Sequence, residues 1–242
     1  MFELGALLKA AILGIVEGLT EFLPISSTGH LILAGELLDF NDEKGKAFLI
    51  VIQTGAMLAV MWHYRARFIE LAVGLFTKRE AQLFIAKLFV AFLPAAVVGL
   101  LFGGLIKDHL FGSIPVAIAL IVGAFVILWV ERIYKGGKVR TVDEVSFREA
   151  LMIGLAQCFS LIPGVSRAGA TILGGMLTGL TRKAATEFSF FLAVPTLIAA
   201  GGYDFLKHRD AFTADDAGIL AVGMIVSFIS ALICVRWLLR FV

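Results

Sequence analysis

The sequence predicts an all-α polytopic membrane protein, an inverted-topology repeat with two re-entrant helical hairpins and about five or six full transmembrane helices. Hydrophobic residues make up 60% of the 242 residues, against about 45–50% in soluble domains. Charged residues make up only 17%, and the mean hydropathy is +0.95. This composition excludes a soluble globule, and a net charge of +2 provides no broad basic surface for nucleic acid. Cys158 and Cys234 lie in apolar runs typical of buried thiols, so no disulfide or thiolate metal site is predicted.

Five apolar stretches approach the roughly 20 residues that a membrane helix needs. They are 47–64, 83–106, 114–130, 188–203 and 217–235. Basic residues within 65–79 and 132–148 indicate cytoplasmic loops, because Lys and Arg accumulate on that side of the membrane. If residues 4–20 also crossed fully, the number of spans would be six.

Two other apolar regions, 4–38 and 150–180, are each interrupted by a polar block that contains proline. The first block runs from Glu17 to His30 and the second from Pro163 to Thr171. Irregular backbone is tolerated at membrane depth only where protein or a wet cavity surrounds it. We therefore expect the two interrupted tips to meet near the membrane midplane, as re-entrant hairpins that enter from opposite faces.

The two interrupted regions correspond to each other at an offset of 140 positions. The shift superposes Gly14 on Gly154, Glu17 on Gln157, Ser26 on Ser166, Gly29 on Gly169 and Phe48 on Phe188. It predicts one integral membrane domain over 1–242, with repeats of about 4–106 and 148–241 joined by a connecting span at 114–130. Interrupted segments at corresponding positions of two halves indicate a binding site built from discontinuous helices.

The first block contains two carboxylates, Glu17 and Glu21, whose spacing of four residues places both on one face of a helix. In an apolar environment such a pair is costly unless it binds a cation, shares a proton or faces a basic partner. Arg167 is the obvious counter-charge, and paired carboxylates suit a hard divalent cation. The alternative interpretation is a helix end that reaches the polar interface.

The second block has the residue types that a phosphate needs. Gly164 permits a sharp turn, Ser166 offers a hydroxyl, and the Arg167 guanidinium matches phosphate oxygens bidentately. A helix beginning after Gly169 would direct its free N–H groups at the anion. A plain turn capped by Ser166 is the alternative.

The hydroxyl residues 26–28 precede a helical run, so we expect one of them to be its N-cap. Ser27 and His30 are three residues apart, which can pair a hydroxyl with a base as in covalent catalysis. A structural histidine is the alternative for His30. Gln157 cannot ionise, but it can hydrogen-bond a ligand or Glu21.

The chain contains two motifs in a fixed order. The first is Glu17-x-x-x-Glu21 running into Pro24-Ile-Ser26-Ser27-Thr28-Gly29-His30, and the second is Pro163-Gly164-Val-Ser166-Arg167 with Thr171. Together they resemble the motifs of undecaprenyl-diphosphate phosphatases of the bacitracin-resistance family. The resemblance covers the whole chain in length, span layout and motif order. It implies a bacterial inner-membrane enzyme that removes the terminal phosphate of undecaprenyl diphosphate, recycles the lipid carrier for peptidoglycan synthesis and confers bacitracin resistance. It also implies Mg²⁺ or Ca²⁺ as cofactor and a site that opens toward the periplasm.

The resemblance also implies roles for individual positions. The implied catalytic residues are Glu17, Glu21, Ser27, His30 and Arg167, with Glu17 and Glu21 as metal ligands. The implied phosphate-binding residues are Ser26, Gly164, Ser166, Arg167 and Thr171. The family usually has a serine directly after the arginine, whereas this sequence has Ala168, so that hydroxyl is absent here. Whether Ser27 or a water attacks the phosphorus stays open.

A lipid-phosphate flippase or a secondary transporter with an intramembrane anion site is the alternative function, because inverted repeats with broken helices are typical of alternating access. A structural scaffold is disfavoured by the charges inside the membrane. The expected partners are the polyprenyl substrate and membrane lipid, and a homodimer is left open.

Overall fold

The computed structural model describes residues 4–40, 43–110, 112–208 and 216–242. Ten α-helices make up most of this described part of the chain. They are α1 (Leu4–Thr20), α2 (Ser27–Leu37), α3 (Glu43–His63), α4 (Arg65–Gly74), α5 (Arg79–Leu110), α6 (Ser113–Ile133), α7 (Phe147–Gln157), α8 (Arg167–Leu177), α9 (Arg182–His208) and α10 (Ala217–Phe241). The described residues therefore confirm an all-α architecture.

Within the described residues, four helices are long and apolar enough to cross a membrane: α5, α6, α9 and α10. The pair α3 and α4 is a fifth candidate, bent by 78° at its break. The four long helices overlap the predicted spans at 83–106, 114–130, 188–203 and 217–235, and the bent pair covers the predicted span at 47–64 but continues to Gly74. Helix α1, with 17 residues, is shorter than these candidates, and a full crossing by residues 4–20 stays a prediction.

Helix α4 occupies a segment for which the sequence predicts only a cytoplasmic loop. After the bend at Tyr64, the Phe68 ring packs on the ring of Phe191 in α9, with centroids 5.3 Å apart. Leu71 is also buried. This apolar face is covered only in the tertiary fold, which explains why the basic residues of the segment dominate its sequence pattern.

Both interrupted regions form two helices with a break between them. Helices α2 and α8 each have 11 residues and begin 140 positions apart. Ser26 caps α2 by accepting a hydrogen bond from the Gly29 N–H at 3.3 Å. Ser166 caps α8 by accepting one from the Gly169 N–H at 3.0 Å. Both helices thus begin with a serine cap that follows a proline-containing turn.

Helix α1 packs against α10 at backbone contact distance. A Cβ added to Gly18 would lie 2.0 Å from the Ser230 Oγ, and one added to Gly14 would lie 2.7 Å from the Gly223 carbonyl oxygen. The Ser230 hydroxyl donates to the Gly14 carbonyl at 3.1 Å. Small residues let membrane helices approach closely, and here they fix the helix that carries Glu17.

Helix α6 contacts both breaks. A Cβ on Gly29 would lie 3.2 Å from Leu120, and one on Gly164 would lie 2.8 Å from the Val116 carbonyl oxygen. Gly164 also has a φ of +93°, which only glycine adopts freely. The connecting span therefore supports both tips from one side.

Candidate active site

The two tips meet, as the sequence predicts. The Arg167 Nη2 donates to the Glu21 Oε1 at 2.6 Å, across 146 positions of sequence. The Ser166 hydroxyl donates to the Leu23 carbonyl oxygen at 3.3 Å. A Cβ on Gly169 would lie 3.4 Å from Pro24. The breaks of the two helix pairs therefore form one contiguous polar centre.

Glu21 connects the charged and the nucleophilic groups of this centre. While its Oε1 accepts from Arg167, its Oε2 accepts the Ser27 Oγ–H at 2.5 Å. Its side chain is only 4% exposed. The Glu21 N–H donates to the Glu17 carbonyl oxygen at 2.9 Å, so the helical register continues one residue past α1. Glu17 and Glu21 therefore lie one helical turn apart, as their spacing predicts.

The geometry of Ser27 and His30 differs from the predicted pairing of hydroxyl and base. The Ser27 hydroxyl donates to Glu21, whereas the His30 Nδ1 lies 2.8 Å from the Ser26 carbonyl oxygen. A carbonyl oxygen can only accept, so Nδ1 carries the hydrogen and Nε2 is the ring atom that can accept a proton. The hydrogen bond of the Ser27 hydroxyl is therefore made to the Glu21 carboxylate and not to the His30 imidazole.

Glu17 is completely buried, and neither carboxylate oxygen has a hydrogen-bond partner among the residues that the structure describes. It lies within electrostatic range of Glu21 and Arg167. An unpaired carboxylate in such a place is costly unless a cation compensates it. The two orphaned oxygens therefore fit a divalent cation, with Glu21 as the neighbouring carboxylate.

The described residues contain no cluster of three or more His, Cys, Asp or Glu side chains that could enclose a metal ion. Mg²⁺ is often bound by one or two carboxylates, with water and substrate phosphates completing the shell. The donor set of Glu17 and Glu21 suits that mode better than a dedicated protein cage.

Arg167 is held from two directions. Its Nη2 donates to Glu21, and its Nη1 donates to the Ser189 carbonyl oxygen of α9 at 3.2 Å. The guanidinium carbon lies 6.0 Å from the centroid of the Phe22 ring. The buried Nε has no hydrogen-bond partner in the described part of the chain. A fixed guanidinium with an unused N–H group is well suited to bind a phosphate oxygen.

The local structure around Arg167 differs from the prediction in one respect. Helix α8 begins at Arg167, not after Gly169, because Ser166 serves as its N-cap. The Gly169 N–H is consequently used by the cap. Gly164 makes the predicted sharp turn, but its close contact with α6 gives it a packing role as well.

Thr171 and Ser189 form a link between α8 and α9. Their hydroxyl oxygens are 2.6 Å apart, and the Thr171 hydroxyl also lies 2.9 Å from the Arg167 carbonyl oxygen. Both side chains are buried. Ser189 is not predictable from the sequence, since it lies inside an otherwise apolar span with no neighbouring motif. Thr171, implied by the resemblance to bind phosphate, supports the Arg167 backbone here.

Gln157 and Ala168 are the remaining residues that the sequence singles out near the site. Gln157 is fully buried; its Oε1 accepts from Thr196 at 3.3 Å, and its Nε2 has no partner within the described segments. Ala168 is also fully buried and belongs to an apolar cluster with Ile153 and Phe191. The position where the family has a serine is thus part of the hydrophobic core here.

Fold and site together define a multi-pass membrane protein with a buried carboxylate, arginine and serine centre. Residues 10–242 match the family described as "Bacitracin resistance protein BacA". The chain therefore belongs to this family, as its motifs indicate.

Similar proteins extend over nearly the whole chain. An "Undecaprenyl-diphosphatase" of Dechloromonas aromatica (strain RCB) is 62% identical over 236 residues, covering 98% of this chain and 86% of the relative. An "Undecaprenyl-diphosphatase 2" of Rhodospirillum rubrum is 59% identical over 241 residues, covering 99% of this chain and 88% of the relative. An "Undecaprenyl-diphosphatase" of Nitrosospira multiformis is 58% identical, with 98% and 86% covered.

Proposed function

We propose that this protein hydrolyses undecaprenyl diphosphate to undecaprenyl phosphate and inorganic phosphate. The observation that carries the proposal is the Glu21 carboxylate, which holds the Ser27 hydroxyl with one oxygen and the Arg167 guanidinium with the other. Its relatives, which are named for this activity, support the same substrate. In a bacterium the reaction regenerates the lipid carrier and confers resistance to bacitracin.

Arg167 binds the diphosphate in this proposal. Its unused Nε–H and its fork of N–H groups match phosphate oxygens, and its charge offsets the negative charge of the substrate. The contacts to Glu21 and Ser189 keep the guanidinium in place before substrate arrives, so little reorganisation is needed during reaction.

Ser27 is the proposed nucleophile, and Glu21 is its base. As the Ser27 Oγ forms a bond to the terminal phosphorus, the hydroxyl proton passes to Glu21. The bond between that phosphorus and the bridging oxygen breaks, and undecaprenyl phosphate leaves with the electron pair. Water then attacks the phosphoserine, the bond from phosphorus to the Ser27 Oγ breaks, and Oγ takes the proton back from Glu21 as phosphate leaves.

Glu17, together with Glu21, would hold the divalent cation. A bound Mg²⁺ or Ca²⁺ supplies positive charge that offsets the charge of the transferring phosphoryl group. The orphaned Glu17 oxygens support this assignment because they have no other described partner.

The arrangement in the membrane is part of the same proposal. The helix pairs α1–α2 and α7–α8 are re-entrant hairpins from opposite faces, and their joined tips open toward the periplasm, in the bacterial inner membrane. The broken helices and the basic segments at 65–79 and 132–148 support this orientation.

An apolar groove between α5 and α7 is the proposed place of the isoprenoid tail. It has a volume of about 370 Å³ and is lined by side chains that include Leu93, Val97, Leu155 and Cys158. Cys158, at one side of the groove, directly follows the buried Gln157. The apolar lining of the groove suits the long hydrocarbon end of the substrate.

Phosphate release by the purified protein in detergent tests the proposal. An enzyme releases phosphate from undecaprenyl diphosphate with no second compartment, and EDTA should suppress the release. A transporter would instead move the lipid across vesicle membranes without hydrolysis. Transport without phosphate release would overturn the phosphatase assignment.

A further inference from the structure

Ser26 has a backbone conformation that is unusual for a serine. Its φ is 66° and its ψ is 97°, and Asp39 is the other non-glycine residue with positive φ within the described segments. Its repeat counterpart Ser166, which caps α8 in the same way, has an ordinary φ of −66°. Positive φ is disfavoured for residues with a Cβ and persists only where the surroundings impose it.

The hydroxyl oxygen and the carbonyl oxygen of Ser26 both accept hydrogen bonds within the protein. Its hydroxyl oxygen accepts the Gly29 N–H at 3.3 Å. Its carbonyl oxygen accepts the His30 backbone N–H at 3.3 Å and faces the His30 Nδ1 at 2.8 Å. The residue is only 4% exposed. This one peptide unit therefore orients the imidazole and immediately precedes the nucleophile Ser27.

We propose that Ser26 is a positioning residue that acts through its backbone, and that its hydroxyl does not bind the substrate phosphate. The positive φ turns the chain after Pro24 so that the Ser27 hydroxyl meets Glu21 while the Ser26 carbonyl oxygen fixes the His30 ring. This departs from the phosphate-binding role that the family resemblance implies for Ser26. The inference rests on the proposed phosphatase activity.

Two substitutions at Ser26 distinguish a role of its backbone conformation from a role of its hydroxyl group. Ser26→Gly removes the hydroxyl but suits a positive φ, whereas Ser26→Thr keeps a hydroxyl but adds a β-branch that positive φ disfavours. Ser166→Gly and Ser166→Thr form the matched control pair, because Ser166 has the same capping contact with negative φ. Asp39→Thr controls for strain alone, since Asp39 has positive φ outside the site.

If Ser26 acts through its backbone, the glycine and threonine variants should rank in opposite orders of activity at positions 26 and 166. Ser26→Thr should lower kcat about tenfold or more, with KM little changed, because strain of this kind disturbs the alignment of reacting groups. Ser26→Gly should lower kcat by no more than about threefold, since glycine is an acceptable N-cap. At position 166, threonine should retain more activity than glycine. Asp39→Thr should retain wild-type kcat.

The opposite order at Ser26, with Ser26→Gly raising KM and Ser26→Thr resembling wild type, would overturn the inference and assign the hydroxyl to substrate binding. Wild-type kinetics in both variants would overturn it as well. If Ser26→Thr does not fold, as judged by its melting temperature, Ser26→Ala replaces it, and equal losses for alanine and glycine contradict the backbone role. A wild-type protein that releases no phosphate contradicts the proposed function itself.

Discussion

Glu21 and Arg167 lie on different helix pairs and form a buried ion pair of 2.6 Å that joins the two halves of the protein. Their side chains are 4% and 11% exposed, respectively. Breaking such a pair by removing one partner leaves a buried charge without compensation. The pair therefore contributes both to the structure of the site and to its chemistry.

The ion pair makes a prediction for stability. Arg167→Met should lower the free energy of unfolding by about 3–5 kcal/mol, because it leaves Glu21 charged and buried. The double variant Arg167→Met with Glu21→Gln should lose less than the sum of the single variants. Thermal unfolding in detergent measures this coupling, and strictly additive losses would argue against a direct pair.

Ser27 should be indispensable for turnover. Ser27→Ala is expected to lower kcat by about 10³-fold or more, as removal of a nucleophile does elsewhere. KM should change little. A purified Ser27→Ala protein with unaltered turnover would favour a water molecule as nucleophile. Thr28→Ala, one residue further along α2, is the matched control.

Glu17 predicts a link between cation binding and stability. At a free Mg²⁺ concentration of 100 times Kd, wild-type protein should be stabilised by about 2.7 kcal/mol. Glu17→Gln should abolish most of that gain and should melt higher than wild type in EDTA, because the uncompensated charge is gone. The exposed Glu80→Gln serves as control. Equal Mg²⁺-induced shifts in melting temperature for Glu17→Gln and wild type would exclude Glu17 as a ligand.

The apolar groove predicts an effect that depends on tail length. Leu155→Trp narrows the groove between α5 and α7, so it should raise KM for undecaprenyl diphosphate by about tenfold, the scale of losing one well-buried apolar group. The KM for a short-chain analogue such as farnesyl diphosphate should change much less. Substitution of the exposed Leu101, on the same helix α5 but outside the groove residues, provides the comparison. Equal effects on both substrates would place the tail elsewhere.

Because α1 packs closely on α10, the addition of a single methyl group at their contact should destabilise the protein. Gly18→Ala should destabilise the protein by about 1–3 kcal/mol, the range for overpacking, because its Cβ would overlap the Ser230 Oγ and lie 2.5 Å from the Ser227 carbonyl oxygen. Gly103→Ala should be tolerated, since nothing lies within 4 Å of its added Cβ. Similar melting temperatures for the two variants would contradict this packing.

The features of the site that depend on residue type and short-range spacing could be predicted from the sequence. The spacing of Glu17 and Glu21, the interruption at Pro24 and the glycine at position 164 carry enough information to place two breaks and a counter-charge. The 140-position offset also indicated that the breaks belong together. These features depend on residue type and spacing, which a single sequence contains.

The remaining features depend on long-range packing. Ser189 binds Arg167 through a backbone carbonyl, which every residue has, so no residue type marks it. The partner of Ser27 is Glu21 because the turn at Ser26 adopts a positive φ that serine does not favour on its own. Helix α4 likewise forms because Phe191 covers Phe68. Tertiary contacts overrode local preference in each case.

The most direct test compares, in one phosphate-release assay, variants of a residue from each of the two helix breaks. Purified wild-type protein should release phosphate from undecaprenyl diphosphate in a cation-dependent manner. Glu21→Gln and Arg167→Lys, both confirmed as folded, should each lose about 10²-fold or more in kcat/KM. Loss of activity in both variants is the predicted result. Full activity in either variant would contradict the claim that the joined tips are the catalytic centre.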